Sequence, residues 1–211
     1  MRTRPLTPPP ALHDRALEDL SFIRRTMEGA AAFTDVPGWG LVGVGALACV
    51  AAPLAARRPS VEGWLAVWIG TAAVAALLGG TAMWRKMQRR LGRDVTPALS
   101  PPARKFLLGF WPAIVAGALL TLALVNPAAP GVDPLVARRL LPGVWLLLYG
   151  LGVTTAGAYS IRAVPLLGAA FIALAAVALL VPGLDGNLLL LLGFGVLHAG
   201  FGLFIARRHG G

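Results

Sequence analysis

The chain has 211 residues; 57% are hydrophobic and only 13% charged, and its mean hydropathy is +0.73. A soluble domain of this length has too little interior to hide so much apolar surface, which excludes an ordinary globular enzyme. The net charge of +10 raises nucleic-acid binding, but no interleaved aromatic and basic surface accompanies it, and nucleic acid is set aside as a partner.

Residues 1–10 (MRTRPLTPPP) are basic and proline-rich and read as an extended tail. Residues 11–33 read as an amphipathic helix. Ala16, Leu20, Ile23, Met27 and Ala30 recur at intervals of four and three, while Asp14, Arg15, Glu18, Asp19, Arg24, Arg25 and Glu28 lie mostly off that stripe. Such a helix lies on a membrane surface, packs beneath a bundle, or docks a protein partner or a second copy; two heptads do not separate these. Asp35 is placed to cap the next helix, with Pro37 in its first turn.

A helix needs about 20 apolar residues to cross a bilayer core about 30 Å thick. Six windows approach this: 39–56, 63–83, 106–125, 140–158, 164–181 and 188–205. They are continuous and show no period-two alternation, so a β-barrel is excluded. Trp39, Trp64, Trp68, Trp84 and Trp145 fall near window ends, as interfacial tryptophans do. The expected fold is all-α: a polytopic membrane bundle of six transmembrane helices over 37–211, preceded by a cytoplasmic segment over 1–36 that carries the amphipathic helix.

The second span should continue as a basic helix to Gly92, projecting Arg85, Lys86, Arg89, Arg90 and Arg93 toward anionic lipid. Ser100-Pro101 should start the third helix, and Pro112 predicts a kink within it. Fifteen of the nineteen Lys and Arg residues fall on the side of the termini and four on the other. The positive-inside rule then puts both termini in the cytoplasm.

An internal repeat is visible in the pattern. Gly80, Gly157 and Gly202 each stand five residues before an arginine, and Pro37-x-x-Gly40 is echoed by Pro165-x-x-Gly168. Three repeated helical hairpins explain this. Small residues form seams on the even spans: Gly63 and Gly70; Gly143, Gly150 and Gly157; Gly195, Ala199, Gly202 and Ala206. Close backbone approach matters in lipid, so the even helices are expected at the centre.

The windows hold no Asp, Glu, Lys or Arg, and His198 is their one imidazole. At that depth it reads as a proton-responsive switch, a haem ligand, a ligand contact, or a neutral ring bonded to a neighbouring helix. Tyr149, Thr154 and Thr155 give the fourth span its polar character and form, with His198, the candidate intramembrane polar site. Their hydroxyls also have a bland role, bonding their own helix. No zinc, phosphate-loop or nucleophile-elbow motif is present, and Cys49 has no partner cysteine. Neither catalytic residues nor a metal or cofactor is expected.

Phe22-Ile23-Arg24-Arg25-Thr26-Met27-Glu28, Val36-Pro37-Gly38-Trp39-Gly40 and Leu141-Pro142-Gly143-Val144-Trp145 resemble segments of a family of small bacterial six-span membrane proteins of uncharacterised function. The hairpin pattern is more loosely similar to the acid-resistance-type six-helix membrane family. Neither resemblance implies an activity. The leading expectation is a non-enzymatic inner-membrane sensor, regulator or assembly partner. The alternatives are a small-solute or proton-coupled transporter, and a haem- or quinone-binding membrane protein.

Overall fold

The computed structural model describes residues 12–30, 35–91, 101–126 and 133–209. Every regular element among them is helical. Residues 12–30 belong to one compact unit, and everything from Phe33 onward to a second.

In the first unit α1 spans Leu12–Ala30. Leu17, Leu20, Ile23 and Met27 are exposed along it. Residues 31–33, where the sequence extends this helix, lie outside the described residues.

The second unit is a helical bundle with six helices long and apolar enough to cross a membrane, making this a multi-pass membrane protein. They are α2 (Gly38–Ala56), α3 (Val61–Leu91), α4 (Pro101–Val125), α5 (Pro134–Gly157), α6 (Ala163–Leu180) and a composite sixth span. That last span runs through α7 (Gly186–Leu190), a π-helical segment (Leu191–Leu197) and α8 (His198–His209). A π-helix carries wider i→i+5 turns and is rare, short and enriched at functional sites.

Local chemistry sets the ends. Pro37, with extended backbone, is itself the N-cap of α2, rather than sitting in its first turn behind an Asp35 cap. Asp35 is instead buried. Asp133 caps α5 through Leu135 N at 2.8 Å, with proline in the first turn. That cap starts α5 six residues before the apolar window and brings Arg138 and Arg139 into the helix. Asp185 caps α7 in the same way, through Asn187 N at 2.9 Å. Gly183, at φ +84°, makes the turn between α6 and α7, a conformation that side chains with a Cβ resist. As the sequence indicates, α3 runs on through its basic end to Leu91 and α4 starts at Pro101. Pro112 lies inside α4.

Helices in lipid gain no hydrophobic drive from each other, so backbone approach at small residues decides which ones meet. α2 packs along α8 and the π segment, and α5 packs between α4 and α6. A Cβ on Gly45 would lie 2.7 Å from both Ala199 N and Gly195 O, and one on Gly202 2.7 Å from Val42 N. The same test on Gly150 meets Gly168 O at 2.8 Å, and on Gly157 meets Pro165 N at 2.7 Å. The seams read on the fourth and sixth spans are therefore real contact faces, the one against α6 and the other against α2.

The Gly63–Gly70 seam is not. A Cβ on Gly70, Gly79 or Gly80 would meet nothing within 4 Å, and Gly63 approaches only the turn before its own helix. α3 thus leaves most of its surface uncovered while α2 takes a central place. The even helices are not uniformly central, because Gly38 and Gly45 of α2 face the sixth span while Gly70, Gly79 and Gly80 of α3 face no neighbouring helix. Trp39 and Trp84 are exposed as interfacial residues should be, whereas Trp64 and Trp68 are buried between helices.

Candidate functional site

The π segment delivers His198 to the middle of the bundle at the first residue of α8. Its backbone N–H bonds Gly195 O. Its ring Nδ1 lies 3.1 Å from Phe194 O. A carbonyl only accepts, so Nδ1 carries the hydrogen and Nε2 of the neutral ring is an acceptor. Tyr149 Oη, on α5, lies 2.7 Å from Nε2 and donates to it. Both ring nitrogens are satisfied, and His198 is 1% exposed.

Aromatic rings close around this pair. Phe171 of α6 and Phe194 of the π segment lie 5.2 and 5.9 Å from the imidazole, centroid to centroid. Phe110 of α4 meets the Tyr149 ring edge-on at 5.6 Å. Such ring pairs add about 0.5–1.5 kcal/mol each beyond their area. Four spans therefore converge on one hydrogen bond. Gly193 makes room for this cluster, since a Cβ there would meet Phe171 Cε1 at 3.1 Å.

Of the four residues read as the intramembrane polar site, the structure brings together His198 and Tyr149 only. Thr154 Oγ1 bonds Gly150 O and Thr155 Oγ1 bonds Leu151 O, both at 2.8 Å and both within α5. Thr155 is exposed. Back-bonding to the preceding turn satisfies a hydroxyl without any partner helix. Among the described residues no group of three or more His, Cys, Asp or Glu is gathered as metal ligands would be.

The basic end of α3 also divides. Arg85 and Arg89 are exposed. Lys86 is half-buried: its Nζ donates to Val36 O at 3.1 Å and His209 O at 3.4 Å, and it interacts electrostatically with Asp35. It ties the start of α2 to the finish of α8. Arg90 and Arg93 lie outside the described side chains.

At the opposite end lies a polar junction that sequence reading missed. Asn187 Nδ2 donates to Ala52 O at 2.7 Å, and Trp68 Nε1 donates to Asn187 Oδ1 at 3.0 Å. One amide thus ties α2, α3 and α7. Nearby, Trp64 stacks on Trp145 at 5.4 Å, and Trp145 Nε1 bonds Thr121 Oγ1 of α4 at 2.8 Å. The available signal was Asn187 itself, a polar residue next to an apolar window, two places after a capping Asp.

Comparison with family models, with curated proteins and with solved structures finds no match to the chain.

Proposed function

We propose that this chain is a non-enzymatic bacterial inner-membrane protein that serves as a regulatory or assembly partner, with both termini in the cytoplasm. The bundle anchors; α1 and the basic end of α3 make contact. The observation that carries this reading is a contrast. Inside the bundle, the His198–Tyr149 pair is enclosed by aromatic rings and has no unsatisfied ring nitrogen. In the first unit, Leu20, Ile23 and Met27 present a row of exposed apolar side chains on α1. Apolar side chains held along one helix face are the usual anchors of helix-in-groove recognition. The positive-inside distribution supports the orientation, and Arg85 and Arg89 supply an exposed basic surface for anionic lipid.

A transporter using His198 would need that ring on a solvated path, which its enclosure does not favour. Deletion of residues 11–33 tests the docking reading. The shortened chain should still insert, yet lose its in-cell crosslinks to protein and the phenotype of the intact gene. Retention of both would defeat the proposal.

A further inference from the structure

At the end of the bundle away from the last turn of α8, three elements frame a hollow of about 220 Å³. Trp64 of α3 forms one wall, Leu135, Arg138 and Arg139 of α5 another, and Asp185 and Asn187 at the head of α7 a third. Most of its polar groups are fixed. Arg138 Nη1 donates to Pro59 O at 3.2 Å, in the turn between α2 and α3. Asn187 is held by Ala52 and Trp68. Asp185 uses Oδ1 to cap α7.

What remains is uncommitted binding capacity. Arg139 is exposed and makes no hydrogen bond or ion pair among the described residues. Arg138 keeps further N–H groups, and Asp185 keeps its second oxygen. Two adjacent guanidinium forks match the oxygens of a phosphate. A carboxylate across the same hollow is an acceptor for an ammonium and repels additional negative charge.

The position restricts the source. These residues stand at the starts of α3, α5 and α7, where the apolar spans give way to polar sequence and where lipid headgroups concentrate. Leu135 at the rim is 70% exposed, ready to meet an acyl chain.

We propose that this hollow binds the headgroup of an amine-bearing phospholipid, its phosphate on Arg138 and Arg139 and its ammonium on Asp185. Every residue that lines the site belongs to the second unit, so the proposal does not depend on the docking reading.

The test is native mass spectrometry of the full chain, released from nanodiscs of either a phosphatidylethanolamine or a phosphatidylglycerol mixture. One ethanolamine lipid per chain should be retained. Arg139→Gln removes no contact among the described residues, so it should leave the fold intact and lower retention about tenfold. Asp185→Asn should erase the preference for the amine headgroup while keeping lipid bound. Unchanged retention in Arg139→Gln, or equal retention of both lipids by the unaltered chain, would overturn the proposal. Equal binding of free phosphoethanolamine would also overturn it, by showing that no lipid is needed.

Discussion

Tyr149 donates its hydroxyl hydrogen to His198 Nε2 across 2.7 Å, joining α5 to the sixth span in the middle of the bundle. His198 is 1% exposed there, and Tyr149 is partly buried. Interhelical hydrogen bonds of this kind measure about 0.6 kcal/mol on average in membranes and reach about 1.7. A double-mutant cycle with Tyr149→Phe and His198→Phe should therefore give a coupling energy of about 0.6–1.7 kcal/mol in reversible unfolding. A coupling near zero would mean that the bond contributes nothing to the bundle. Liposome flux that changes in both variants while stability does not would move the pair from structure to transport.

The glycine seams separate helices that must touch from helices that need not. Gly45→Leu and Gly202→Leu would drive side chains into the facing backbone. Each should destabilise the bundle by about 1–3 kcal/mol or more, since overpacking forces backbone shifts. Gly70→Ala and Gly80→Ala add a methyl group where nothing lies within 4 Å. Those two should be neutral or slightly stabilising, because alanine is the better helix former. Thermal unfolding of the four variants in one detergent checks the contrast.

Asn187 offers a third check. Asn187→Leu removes the donor to Ala52 O and the acceptor of Trp68 Nε1 together. Leaving the buried indole N–H unpaired should cost about 1–3 kcal/mol. It should also shift Trp68 emission, which can be read in a chain where the other tryptophans are phenylalanine. Unchanged emission and stability would show that the junction does not hold α2, α3 and α7 together.

Lys86 is expected to behave differently from Arg85. Lys86→Met frees the carbonyls of Val36 and His209 from their ammonium and should raise hydrogen exchange in the last turn of α8. Arg85→Gln, at an exposed position, should leave that exchange unchanged and weaken binding to anionic vesicles instead.

Much of the bundle was legible because composition alone decides what can sit in lipid. The six spans, the continuation of α3 and the start of α4 at Pro101 follow from apolar length, arginine placement and proline. The starts of α5 and α7 were harder. Asp133 and Asp185 set them through local caps, and a hydropathy window does not see one carboxylate bonding one backbone N–H. Of the polar site, His198 and Tyr149 could be named from their depth and type. Thr154 and Thr155 looked equivalent to Tyr149 in the sequence, yet a threonine reaches its own helix carbonyl and a tyrosine does not. The π segment left no pattern to read, because leucine and glycine runs fit an α-helix as well. The outward turn of α3 was invisible for a related reason: a glycine seam shows that approach is allowed, not which helix takes it.

The proposed function requires α1 to dock a protein partner or a second copy. Native mass spectrometry of the chain, extracted from its own membrane with and without Leu20→Glu and Ile23→Glu, tests it most directly. The expected result is a bound protein partner or a second copy, lost in the double variant while the six spans stay folded. A single chain carrying a stoichiometric haem, quinone or soluble solute, unaffected by those substitutions, would contradict it and return attention to His198.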